Sequence, residues 1–190
     1  MLALWNPTAI TSGPPYPAAA ETPDTLYLVD PAGGRYLLGK APPGPSSLVD
    51  WSGDGRRALF VAPNPGAGNT VTVIDVTTGA TLSSFTTANP VAATFTRPDG
   101  LARLLGTGAP GVPTLERAGL DGRPQVHFRV PASGVDTDHV LYSPDGTRLY
   151  VSTGTGFSVL GNDGTALGQL PGAPGCGLIR WWADGTALLV

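Results

Sequence analysis

Four Asp-Gly pairs, Asp54-Gly55, Asp99-Gly100, Asp145-Gly146 and Asp184-Gly185, recur at steps of 45, 46 and 39 residues, and this period constrains the fold more than any other feature. A fixed period of this length means repeated supersecondary units, each burying its apolar surface against the next. A second aspartate series interleaves with the first. Asp30, Asp75, Asp121 and Asp163 precede it by 24, 24, 24 and 21 residues, and each is followed by glycine within one to four positions. Asp-Gly supplies the positive φ that a tight hairpin turn requires.

Between the turns lie short runs rich in β-branched and aromatic residues. Leu48–Trp51, Ala58–Val61, Thr70–Ile74 and Ala80–Phe85 give four strands in one period. No stretch keeps 3.6-residue apolar spacing over helical length, and prolines interrupt most candidates, so helix content close to nil is expected. Four-stranded units at a period of 40 to 50 residues predict an all-β chain of antiparallel β-propeller blades. A β-sandwich shares the short strands and frequent turns but not the repeated phase.

The expected organisation is a flexible Pro/Ala-rich lead-in over residues 1–22 and propeller blades over 23–190. Complete blades are expected at about 46–86, 91–130 and 137–171. Residues 23–40 and 177–190 then form a split fourth blade that closes a ring, or the whole is a fragment of a larger propeller. Raw sheet edges in a fragment would favour closure or dimerisation.

Trp51-Ser-Gly-Asp-Gly-Arg-Arg-Ala-Leu-Phe-Val61 and Tyr142-Ser-Pro-Asp-Gly-Thr-Arg-Leu-Tyr-Val-Ser152 resemble the Ser-Pro-Asp-Gly segment of prokaryotic WD40-like, TolB-like and YVTN-type β-propeller repeat proteins. Thr70-Val-Thr-Val-Ile-Asp-Val-Thr-Thr-Gly-Ala80 is similar to the third strand and turn of a YVTN blade, and Phe157–Gly164 is a looser version. The resemblance covers nearly everything after Thr22. It implies a fold rather than an activity, because such proteins include scaffolds, periplasmic binding partners, surface proteins and non-catalytic domains of peptidases. It also favours an extracytoplasmic or secreted location, although Met1–Thr22 has no basic residue and only the short apolar run Leu2–Trp5. That segment is neither a signal peptide nor a membrane span.

Glycine (27) and proline (20) make up about a quarter of the 190 residues, a level that suggests disorder only where no period accompanies it. A lone cysteine, Cys176, cannot form an internal disulfide, and His127 and His139 with no cysteine beside them make a poor zinc set. Eleven basic against fourteen acidic residues give a net charge of −3 without clusters, which argues against nucleic acid as a partner. No cofactor is implied. Gly106-Thr-Gly-Ala-Pro-Gly111 matches the dinucleotide-binding pattern, but Pro110 and Pro113 with no helical pattern after them argue against the helix whose N-terminus must receive the pyrophosphate.

Asp136-Thr-Asp138-His139 is the tightest cluster of polar groups able to bind a metal or move a proton. Registered on the Asp-Gly turns, His139 stands against Leu48, Ala93 and Leu178, and Arg180 stands among Asp50, Phe95 and Leu141. Trp181 registers with Trp51 and Tyr142, a packing role, whereas Trp182 and Arg180 are of the types enriched in binding hot spots. Aspartates that cap backbone amides, or a histidine bonded within its loop, are the stronger explanation of the first cluster. No serine has a paired histidine and acid that spacing reveals. The expected function is a non-enzymatic module presenting a protein- or peptide-binding surface, with Asp136, Asp138, His139, Arg180 and Trp182 as its candidate contacts. The alternatives are a propeller domain of a larger peptidase, lactonase or oxidoreductase, or a secreted or surface structural protein.

Overall fold

Every regular element among the described residues is a β-strand. The computed structural model describes residues 2–5, 25–29, 32, 34–40, 47–64, 68–87, 90–96, 100–105, 114–130, 140–153, 156–171, 180–181 and 188–189. A first sheet comprises β1 (Leu2–Trp5), β2 (Thr25–Val29) and β3 (Arg35–Lys40), in that order. Three four-stranded sheets follow. The first blade is β4 (Ser47–Trp51), β5 (Arg57–Pro63), β6 (Asn69–Asp75) and β7 (Thr81–Thr87). The second is β8 (Pro90–Phe95), β9 (Leu101–Leu105), β10 (Thr114–Ala118) and β11 (Pro124–Arg129). The third is β12 (Val140–Tyr142), β13 (Arg148–Thr153), β14 (Gly156–Gly161) and β15 (Ala166–Pro171). A pair, β16 (Arg180–Trp181) and β17 (Leu188–Leu189), closes the list.

The stretch expected as a lead-in therefore carries a strand at its start. Leu2-Ala-Leu-Trp5 is apolar and free of glycine and proline, and it pairs antiparallel with β2 from Leu2↔Leu28 to Trp5↔Thr25. Among the described residues β16 pairs with β17, and β2 pairs with β1 and β3.

Within each blade every strand is antiparallel to the next, so the first and third turns lie at one end and the second turn at the other. At the shared end the first turns are built alike. In Ser52–Arg57 the serine N–H donates to Arg57 O, the serine Oγ accepts from Arg57 N (2.9 Å) and lies 2.6 Å from Asp54 Oδ1, and Asp54 Oδ1 accepts from Arg56 N. Ser143–Arg148 repeats each bond, with Asp145 in the place of Asp54. The serine of the Ser-x-Asp-Gly motif thus ties the turn's two strands while its hydroxyl donates to the aspartate. The second blade turns one residue sooner, with Thr96 N donating to Gly100 O. Phe95 pairs with Leu101, as Trp51 does with Ala58 and Tyr142 with Leu149. Phe95 therefore belongs with Trp51, and Thr94 with Asp50, one position away from the register that the Asp99-Gly100 spacing predicts.

The third turns show a comparable distinction. Gly119–Arg123 and Gly161–Thr165 are the same turn, closed by the first residue's N–H on the fifth residue's carbonyl and capped by Asp121 and Asp163. Asp75 opens a turn one residue longer, donating its N–H to Ala80 O and accepting Gly79 N on its own carbonyl. Its spacing of 24 residues thus matches that of Asp121 through a different geometry.

These bonds favour the ionised carboxylates. Asp145 is lowered to about 2, first by the Ser143 hydroxyl and then by Thr147 N–H, while Asp54, Asp75 and Asp163 are lowered by the hydroxyl and amide donors of their own turns. A carboxylate with a depressed folded pKa stabilises the fold above its unfolded pKa and loses that contribution as pH falls through the folded value.

The blades stack through their faces, with β4 beside β8 and β8 beside β12. Leu59, Val71, Val73, Ala93, Phe95 and Leu101 form the core between the first and second blades. Ala102, Leu115, Val140, Tyr142, Leu149 and Val151 are among those that form the core between the second and third. In the third blade every residue of the third strand, β14, is buried, whereas its outer neighbour β15 is exposed throughout. Outer strands touch the next blade at one recurring point. The Phe85 ring of β7 lies on Gly122, and Phe128 of β11 lies on Gly164, so that a Cβ added to either glycine would stand 2.7 Å or less from ring atoms. Both glycines also have positive φ, +78° and +85°.

Two outcomes are expected. Gly122→Ala and Gly164→Ala should each lower unfolding free energy by about 2–4 kcal/mol in urea melts, from strain and overpacking together. Gly55→Ala, with φ +70° but nothing within 4 Å of the new methyl, should cost only the strain, about 1 kcal/mol; equal losses at all three sites would refute the socket. Second, stability should decline as pH falls from about 4 through 2. Ser143→Ala should raise the Asp145 titration midpoint seen by carboxyl NMR, and an unmoved midpoint would show that the serine is not its main support.

Candidate functional site

The candidate contacts named from sequence divide sharply. Asp136, Asp138, His139 and Trp182 lie outside the described residues. Arg180 lies in β16, opposite Leu189, and Trp181 is opposite Leu188, in register with Trp51, Phe95 and Tyr142 of the earlier blades. The Gly106–Gly111 loop is also outside the described residues.

What the described residues bring together is a polar position at the middle of each third strand. Thr72, Glu116 and Ser158 are equivalent, each two residues before the bulge that opens the outer strand, and all three are buried. Their outer-strand partners are Ser84, His127 and Gln169. Thr72 Oγ1 and Ser84 Oγ share a hydrogen bond of 3.3 Å. Ser158 Oγ, 1% exposed as a residue, has no hydrogen-bond partner among the described residues. In the second blade the position carries a charge. Glu116 is 5% exposed, and its Oε2 stands 3.6 Å from Nδ1 of His127, which is half exposed. A buried carboxylate facing an accessible imidazole can share a proton or offer two donors to a cation. Among the described residues no group of three or more His, Cys, Asp or Glu side chains gathers to hold a metal.

Glu116 was legible only through the repeat. Taken alone, Leu115-Glu-Arg-Ala118 is a strand with two charges. Aligned on Val71-Thr-Val-Ile74 and Phe157-Ser-Val-Leu160, it places a carboxylate in a column of small hydroxyls.

A second polar cluster spans the second and third blades at the end bearing the first and third turns. Arg117 Nη1 donates to Asn162 O (2.6 Å) and Oδ1 (3.2 Å), and the Tyr142 hydroxyl donates to the same Oδ1 at 3.1 Å. Burial raises the Tyr142 pKa, with the Arg117 charge opposing it. The inner strands of the first two blades are linked differently: Asp50 Oδ2 accepts from Thr94 Oγ1 (2.5 Å) and Phe95 N (2.8 Å). These groups hold blades together.

No protein-family profile and no curated protein matches the chain. Solved structures do. TolB from Acinetobacter baumannii superposes with a TM-score of 0.56 at 20% identity, over 87% of this chain and 42% of that one. Kuenenia stuttgartiensis hydrazine synthase gives 0.59 at 13% identity over 85% and 47%, and the C-terminal WD40 domain of Sif2 gives 0.50 at 16% over 85% and 47%. The chain thus spans about half the length of these structures. At such identities the likeness is one of fold, and the three four-stranded sheets carry it: the chain has an all-β fold of β-propeller blades, similar to those of TolB and of the Sif2 WD40 domain.

Proposed function

We propose that this propeller module binds a protein or peptide partner in extended conformation. The observation that carries the reading is the state of the outer strands. β7 and β15 contain no charged residue, have no further strand beside them among the described residues, and expose Leu82, Leu167 and Leu170. A sheet margin with no further described strand beside it, flanked by exposed leucines, offers a place for main-chain pairing with side-chain contacts beside it, the means by which a sheet accepts a peptide strand. Charge-bearing β11, with Pro124, His127 and Arg129, is a poorer template. The acids of the described turns are engaged by their own amides, so the turn end supplies shape more than free charge. Asp136, Asp138, His139, Arg180 and Trp182 remain proposed contacts at the loop-rich face, on sequence grounds. No helix among the described residues is long and apolar enough to cross a membrane.

A second reading, a propeller part within a larger enzyme, is favoured by the chain's spanning half of its structural neighbours, one of which is a hydrazine synthase.

The test is a screen of the purified chain against an array of extended peptides, repeated with Leu82→Lys, Leu167→Lys and His139→Ala. Binding that weakens about tenfold or more with either leucine variant supports the edge; the same loss with His139→Ala alone moves the site to the loops. An array that yields no binder overturns the peptide-binding reading.

A further inference from the structure

The two described blade interfaces share one contact and differ in the rest. The aromatic-on-glycine contact is the same in both, Phe85 on Gly122 and Phe128 on Gly164, so it holds neighbours together without distinguishing them. Equivalent positions elsewhere have exchanged character. At the turn end of the first interface Val73, Leu120 and Phe95 belong to one apolar cluster. Their counterparts at the second are Arg117, Asn162 and Tyr142, joined by hydrogen bonds. At the inner strands the exchange runs the other way. Asp50 grips Thr94 and Phe95 N at the first interface, whereas Thr94 and Leu141 occupy those positions at the second.

We propose that these two clasps encode blade order, making each described blade face exclusive to its own neighbour. Were the first blade to dock on the third, Val73 would meet Asn162 and the Tyr142 hydroxyl, and Asp50 would meet Leu141 in place of the Thr94 hydroxyl. Were the second blade of one chain to dock on the second of another, the Arg117 guanidinium would face Leu120 and Phe95. Each wrong pairing removes hydrogen bonds from buried or half-buried polar groups, which costs more than the right pairing gains. Repeated units of similar shape invite such exchange between copies, and a polar key set in a different place at each interface excludes it.

The experiment makes the second interface resemble the first at its turn end. Arg117→Val, Asn162→Leu and the double variant are compared with the parent chain by thermal melts, and by light scattering after refolding from urea. Each single variant should lower the melting temperature by about 4 °C, and the double variant should lose clearly less than the sum of the two, because Arg117 and Asn162 are removed together even though the Tyr142 hydroxyl loses its Asn162 acceptor. The double variant should also refold with a several-fold larger fraction of exchanged oligomers than the parent. Additive losses would overturn the clasp. Less-than-additive losses with an unchanged oligomer fraction would overturn its role in blade order.

Discussion

Burial of both faces of a small sheet is the constraint on which everything else in this chain depends. A four-stranded blade buries nothing by itself, and only a neighbour on each side removes its third strand from water. That is why all four residues of Val71-Thr-Val-Ile74 and of Phe157-Ser-Val-Leu160 are buried, where a one-sided sheet would bury only alternate ones. The distance between blades is then set where the outer strand's aromatic ring meets a glycine in the next blade's third turn. A side chain at that glycine would hold the sheets apart and expose the same third strand that the stack exists to cover. Gly122 and Gly164 therefore do two tasks with one residue, a left-handed turn conformation and an absent side chain, and no other residue type satisfies both.

The same economy governs the charges. Aspartates at 54, 75, 121, 145 and 163 appear in the sequence as two regular acidic series, which could suggest a ring of ligands for a cation. Their oxygens instead accept the amides of their own turns. An acid engaged in this way is held ionised by neutral donors, and its lowered pKa reflects turn geometry rather than a reacting centre. Perturbed titration, usually a pointer to a site, points here to the scaffold.

The period, the four strands of each described blade and their all-strand character were legible because they arise from local chemistry: turn residues with positive φ, β-branched runs between them, and a phase that repeats. Register was legible only to within one residue. The second blade's first turn is one residue shorter than its counterparts, which moved Phe95 out of its column, and Asp75 kept the spacing of Asp121 while opening a longer turn. Strand β1 escaped notice because Leu2–Trp5 is too short to announce itself beside a Pro/Ala-rich stretch and is defined by its pairing with β2. Interblade chemistry was the least legible. Arg117 and Asn162 lie 45 residues apart, as do Asp50 and Phe95, and one period of separation is the spacing at which a repeat conceals contacts among its equivalences.

Departures from the repeat therefore carry the information that the repeat itself cannot. Where the blades agree, in turn aspartates, bulged outer strands and the glycine sockets of the two described interfaces, the residues serve the stack. Where they disagree, one blade holds something the stack does not require. Glu116 is the clearest instance: Thr72 and Ser158 show that a small hydroxyl suffices at that depth, yet the second blade buries a carboxylate and sets His127 within 3.6 Å of it at the surface. A charge placed where a hydroxyl would do costs desolvation, and that cost is offset only by what the charge pairs with. The blade bearing it is also the one whose outer strand departs from the uncharged pattern of β7 and β15. The second blade is accordingly where the chain's individuality is concentrated, flanked by two interfaces that use different polar clasps to keep it in place.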